Sequence, residues 1–329
     1  MFEKATFTAI LQAITPIAHH SKSFGNTAIV MDEPVFQPDG RSVKVPIITG
    51  NTMRHGLREA GAYAFLDAAG LLDDPSLSES ALRLLFSGGT IGGAAGSTVS
   101  ISEYNRMIDL VPSLALLGGC AGNRPHAGRV QVNAALLICR DSMTLIEHDP
   151  WVRDWVESSG FEPPLAQASR WLANNTRADP TVSPMLQSLL SAEARTSAQE
   201  RMLASEAARD ANDAVAIAEH KSSQMPYCYE IVPRGSMFTW SVTATFLTDL
   251  DRDTFYVMLA SFLADMRVGG KRGSGAGTLA PIACSKRLLS RPSMPETVAL
   301  DRGTIGDRFR EHVSARRDAI RDFLATVEA

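Results

Sequence analysis

Three features of this sequence predict a mixed α+β fold. Apolar, strand-like runs stand near both ends of the chain, at residues 2–15 and 237–247. Each is followed by a stretch with apolar residues at helical spacing, one from Met53 and one from Thr254. A glycine-rich loop at 268–277 then leads into a third apolar run, 278–284. Periods of two and of 3.6 in one chain mean strands and helices around a shared core.

Taken in order, the first strand carries Phe7, Ile10, Leu11 and Ile14, and Pro16 stops it. The polar stretch 19–26, from His19-His20 to Gly25-Asn26, reads as a mobile connection. On extended chain its adjacent histidines point to opposite faces, so they do not share a metal. Residues 29–36 and 42–48 flank Pro38-Asp39-Gly40, a turn sequence, and form a β-hairpin. A helix opens next, capped by Asn51 or Thr52, with Met53, Leu57, Ala60, Ala64 and Ala68 along one side. Arg54 and Arg58 are four apart and share a face. Cations in a first helical turn oppose the helix dipole unless an anion binds there or water solvates them.

A second helix is expected at 78–86, then a glycine-rich loop or hairpin tip at 87–98. Residues 129–139 read as a strand. From Trp151 the character changes, and 185–219 is alanine-rich, of mixed charge and free of glycine. That is helix-forming composition, set off by a linker near 174–184. Strands at 227–232 and 237–247 surround Pro233-Arg234-Gly235. The amphipathic helix 254–266, the glycine loop and its strand follow, then a charged terminal helix at 307–327. Without the insertions the order is β-α-β-β-α-β, the split βαβ or ferredoxin-like arrangement.

Composition bounds the function. The 329 residues suffice for one large domain or two, and 45% apolar with 21% charged is ordinary for a globular chain. No run of 18 apolar residues offers a membrane span, and the N-terminus lacks a signal-peptide pattern. Cys120, Cys139, Cys228 and Cys284 are widely spaced, which suits reduced thiols and a cytoplasmic location. No H-x-x-x-H or C-x-x-C set is present, so neither a metal nor a cofactor is expected. A net charge of −4 weighs against a nucleic-acid partner, yet only six of the 32 cations are lysine. Arginine is the bidentate phosphate binder.

The loop Val268-Gly269-Gly270-Lys271-Arg272-Gly273-Ser274-Gly275-Ala276-Gly277 is the strongest local signal. Its glycines allow close backbone approach, and its cations and N–H groups suit phosphate oxygens. It is not a mononucleotide P-loop, because Lys271 is followed by Arg272 and a strand-like run. It is not a dinucleotide fingerprint either, because the order is helix, loop, strand. A solvated glycine-rich turn would carry the same residues.

Gly50-Asn51-Thr52-Met53-Arg54-His55-Gly56-Leu57-Arg58 resembles the Gly-Ser-Ser-Leu-Lys-Gly-x-x-Arg signature of the RAMP superfamily of CRISPR proteins, with His55 in place of a glycine. Residues 230–238, Glu-Ile-Val-Pro-Arg-Gly-Ser-Met-Phe, resemble the strand–turn–strand before the last helix of those proteins. The loop at 268–277 resembles their C-terminal glycine-rich loop. Leu117-Gly118-Gly119 with Gly128-Arg129 is similar to the segment entering their second strand. The four stretches stand in the family's order, and within it the pattern is most like the type IV backbone subunit.

The resemblance implies a ferredoxin-like palm built from residues 1–150 and 227–329, with hairpin and loop insertions and a helical subdomain at 151–226. It implies a non-catalytic subunit, copies of which line one guide RNA (crRNA) beside other effector subunits and present it to target DNA or RNA. A hairpin crossing the guide between bases fits the same picture. The residues expected at the RNA are Asn51, Thr52, Arg54, Arg58, Lys271, Arg272 and Ser274, with Lys22 and His20 as further contacts. Two alternatives remain. Asp32-Glu33-Pro34-Val35 matches the Asp-x-Pro-apolar pattern of target-RNA-cleaving type III relatives, which makes Asp32 the candidate catalytic residue. The glycine loop could instead serve a nucleotide-binding enzyme.

Overall fold

The computed structural model describes residues 3–74, 77–89, 100–121, 124–177, 191–210, 225–289, 295–298 and 306–327. The chain forms two compact units. One comprises Met1–Ser21, Val30–Trp171 and Ile231–Ala329; the other comprises Lys22–Ile29 and Leu172–Glu230. The glycine-rich stretch 90–99 and the expected helix beyond Asp210 lie outside the described residues.

The chain opens with β1 (Glu3–Ala13), β2 (His20–Phe24), β3 (Thr27–Val30), β4 (Asp32–Phe36) and β5 (Ser42–Ile48), then α1 (Gly50–Ala69) and α2 (Glu79–Ser87). Next come α3 (Ile101–Leu110), α4 (Pro112–Leu117), β6 (Gly119–Ala121), β7 (Arg124–His126), β8 (Val130–Val132), β9 (Ala135–Leu137), α5 (Met143–Ile146) and α6 (Pro150–Ser159). After β10 (Trp171–Arg177), α7 (Ala192–Asp210) and β11 (Met225–Ile231) stand β12 (Met237–Phe246), α8 (Asp249–Ala264), β13 (Met266–Arg267) and β14 (Thr278–Leu288). The last elements are β15 (Glu296–Thr297), α9 (Asp307–Ala315) and α10 (Arg317–Thr326).

The first unit is built on a sheet ordered β13-β14-β1-β12-β9-β5-β4, with β15 on β14 and β8 on β12. Its inner part, β14-β1-β12-β8/β9 with α1 and α8, is the ferredoxin-like α+β arrangement. β12 shows why. Its side chains alternate between half-buried and buried along the whole strand. The inward set, Phe238, Trp240, Val242, Ala244 and Phe246, meets α8, and Trp240 stands edge-on to Phe262 at 5.7 Å. Each such aromatic contributes roughly 2–3 kcal/mol through burial. α1 lies close against α8 because Gly56 has no side chain: a Cβ there would sit 2.5 Å from the Phe262 ring.

A second cluster joins Phe65 and Leu66 of α1 to α2, α3 and the C-terminal helices through Phe309, Val313, Ile320 and Leu324. The terminal helix is interrupted at Arg316, whose Nε donates to Asp109 (3.2 Å).

Four expectations are corrected. The stretch 19–26 is not a loose connection: β2 and β3 are strands of a separate four-stranded sheet, β10-β11-β3-β2. Its polar composition hid it, because its β2 side chains are mostly exposed. The helix cap is Thr49, whose Oγ1 accepts from the Thr52 N–H, not Asn51 or Thr52. The compact units do not divide at residue 151. Val152 and Val156 pack with Ile10 and Ile138, so the chain stays with the first unit through Trp171. The second unit is also not purely helical, since it holds that sheet as well as α7.

Candidate functional site

The glycine loop is closed at its neck by backbone bonds. The Val268 N–H donates to the Gly277 carbonyl (2.8 Å), and the Gly277 N–H donates to Pro16 (2.9 Å). Gly277 has φ +92°, and a Cβ on it would lie 2.2 Å from the Val268 oxygen, so only glycine fits. Further out, the Gly270 N–H donates to the Ala18 carbonyl (2.7 Å). Beyond that anchor the loop projects, with Lys271, Gly273, Ser274 and Gly275 exposed. Lys271 has φ 59°, the only positive φ outside glycine among the described residues. A left-handed lysine costs about 1 kcal/mol, and such costs gather at functional positions.

The other motif meets the same segment from its far side. The Thr49 N–H, at the start of α1, donates to Nε2 of His19 (3.2 Å). Arg272 reaches back to Glu59 of α1 at 3.4 Å. Residues 16–19 are therefore a strap between the glycine loop and the helix start, which are far apart in sequence. Asn51 is exposed on the first turn, and Thr52 Oγ1 lies 3.0 Å from Thr49 Oγ1.

His19 must be neutral to accept that bond. Burial, and then the neighbouring His20, lower its pKa from the ordinary 6.5. As pH falls the unfolded chain takes up this proton before the folded one. Stability is thus whole above about pH 6.5 and is lost as pH drops through the folded pKa. The melting temperature is expected to fall between about pH 7 and about pH 5, with a smaller fall in His19→Gln, whose amide oxygen accepts without titrating. An equal fall in that variant would remove His19 from the account.

Arg54 and Arg58 are both held by backbone carbonyls. Arg54 donates to the carbonyls of Val130 (3.0 Å, through Nη1) and Leu117. Arg58 Nη2 donates to Leu117 and Gly118, both at 2.9 Å. The carbonyls of Leu117 and Gly118 end α4, where a helix dipole favours cations, and that of Val130 opens β8. Burial, with Arg54's like charge, pulls Arg58 down to about 10. The pair fastens α4 and the entry to β8 onto α1.

Asp32 is also engaged. Its Oδ2 accepts from Arg170 at 2.9 Å, with both side chains largely buried. In the second unit, the Lys22 ammonium lies 4.9 Å from the centre of the Phe24 ring, and Phe24 is 57% exposed. Beside them in sequence, His20 begins β2 and is half-buried. The sequence reading passed over His19, Glu59 and Phe24. The only available signal was the His19-His20 pair, of which one member had to turn inward.

Among the described residues no three His, Cys, Asp or Glu side chains converge on a common point, and no helix is long and apolar enough to cross a membrane.

No protein-family model matches the chain, and no curated protein does. Among solved structures, the chain is similar to one of a "Type IV-B CRISPR Complex", with a TM-score of 0.50 and 15% identity over 91% of this chain and 97% of that one. The likeness extends across both units and is one of fold.

Proposed function

We propose that this chain is a non-catalytic subunit of a CRISPR effector complex that binds the guide RNA through its phosphates. The observation that carries the reading is the strap at 16–19, which joins an exposed, cationic glycine loop to the N-terminus of α1. Lys271 and Ser274 are exposed and Arg272 is about one-third exposed, on a loop tied through Ala18 and His19 to the helix start that bears Asn51 and Thr52. Such a surface binds a backbone without reading sequence, which leaves sequence to base pairing with target DNA or RNA. The cation and exposed ring of Lys22 and Phe24 suit a nucleobase on a strand, with His20 beside them. Arg54 and Arg58 act one step back, by holding the fold behind the helix start. Copies of the chain line the guide, together with other subunits of the complex. The fold shared with a chain of a Type IV-B CRISPR Complex supports this reading. The helix–loop–strand order, α8 to β14, weighs against a nucleotide-binding enzyme.

The test is purification after co-expression with a CRISPR repeat–spacer transcript, followed by electron microscopy. A regular array holding one small RNA is expected. A nucleic-acid-free monomer would overturn the reading.

Asp32→Ala separates this subunit from a nuclease. With the largely buried Asp32–Arg170 pair lost, the variant is expected to lose about 1–3 kcal/mol of stability. Target RNA is expected to stay as intact as with wild type. Cleavage by wild type that vanishes in the variant would make Asp32 catalytic.

A further inference from the structure

A knob and a groove on the first unit fit one another, and one chain carries both. The β4–β5 hairpin presents Phe36, which is 71% exposed, the most exposed aromatic side chain among the described residues. Pairing of Pro34 with Lys44 and of Phe36 with Ser42 puts these four side chains on one face of the hairpin, opposite buried Val35 and Val45. The one carboxylate of that face, Asp32, is already held by Arg170 at 2.9 Å, while Lys44 has no ion-pair partner among the described residues.

The groove lies between α1 and α8. Its apolar lining includes Tyr63, Leu72 and Phe262, and its acids are Glu59, Asp67 and Asp265. Tyr63 and Leu72 are 53% and 50% exposed. Two of the acids are already answered, Glu59 by Arg272 (3.4 Å) and Asp265 by Arg267 (3.0 Å). Asp67 has no ion-pair partner among the described residues. One surface thus offers an aromatic side chain with a lone cation, and the other an apolar hollow with a lone anion.

We infer that the hairpin of one copy docks in the α1–α8 groove of the next, with Phe36 against Tyr63 and Leu72 and Lys44 against Asp67. The two surfaces differ, so the contact is head to tail and repeats without closing unless the rotation forms a ring. This deepens the proposed function, since it supplies the contact by which copies line one strand. An exposed aromatic is the residue type enriched at interface centres, and the Lys44–Asp67 pair suits the polar rim around it.

The test places a photo-crosslinking amino acid at position 36 in the full chain, co-expressed with guide RNA. The crosslink is expected to join two copies and to map to peptides holding Tyr63 or Leu72. Lys44→Glu and Asp67→Lys are each expected to weaken association between copies about 5-fold, and their combination to restore it. Phe36→Ala is expected to weaken it about 30-fold without lowering the melting temperature. Crosslinks that map elsewhere, or a charge exchange that does not restore association, would overturn the inference. Association is also read by sedimentation of the RNA-free chain at high concentration. A wild-type chain that self-associates through these residues but holds no RNA would sink the functional reading and keep the contact. An RNA-bound chain whose assembly ignores all three substitutions would do the reverse.

Discussion

Alanine at both Lys271 and Arg272 is expected to weaken guide binding by about 100-fold, equally for every spacer sequence. Two charge-assisted phosphate contacts at about 1.5 kcal/mol each set that scale. Two fewer neutralised phosphates on a single strand also flatten the slope of log affinity against log salt by about 1.4 for each copy. Binding titrations at several salt concentrations, with two unrelated spacers, read both quantities. A loss confined to one spacer would mean that the loop reads bases, which contradicts the proposal. Folding should barely change, because the Arg272–Glu59 pair is long and about one-third exposed on each side. Lys271→Gly makes the converse check. Glycine takes φ 59° without strain, so this variant should be no less stable than wild type while still losing affinity.

Arg129→Ala is expected to cost about 3–5 kcal/mol of stability, which lowers the melting temperature by about 10 °C. Arg129 and Asp251 form a two-pronged pair, Nη1 to Oδ2 and Nη2 to Oδ1, both at 2.8 Å. Their side chains are only 24% and 9% exposed. Asp251 also holds the start of α8, where its Oδ2 accepts the Leu247 and Thr248 N–H groups at 2.9 Å and closes the capping box. Without Arg129 this carboxylate stays buried with a full charge and no counterion. Arg129→Lys keeps the charge but not the planar fork, so it should recover only part of the loss. Arg129→Ala combined with Asp251→Asn should be more stable than Arg129→Ala alone, because no net charge is left in the interior. Urea unfolding decides the matter. A loss below about 1 kcal/mol would mean that water reaches the pair.

How far this was legible in the sequence depends on whether local rules governed each stretch. The apolar register of 237–246 and the helix from Thr254 were plain, because one face of each fills the core. The glycine loop was recognised as a close-approach segment, and Gly277 against the Val268 oxygen is such an approach. Where partners lay far along the chain, the sequence was silent. Nothing in the sequence shows that Arg54 and Arg58 meet the carbonyls of Leu117, Gly118 and Val130, because only the fold brings those residues to α1. Thr49 was passed over as cap because the polar residues after it cap equally well by type. Trp151 and Trp155 looked like the opening of an insertion, since the surface α6 covers, around Ile10 and Ile138, is assembled from distant strands.

The outermost strand of the large sheet has one more consequence. β4 ends the strand order, and Pro34 stands in its middle. Proline has no N–H to donate, so it breaks the row of donors on which a foreign strand would template. Asp32 and Glu33 add charge to the same edge. Under the proposed function, copies stand side by side at a local concentration where open sheet margins would fuse into cross-β aggregates. Proline at this margin would then leave side chains, which can be specific and reversible, as the means by which one copy recognises another.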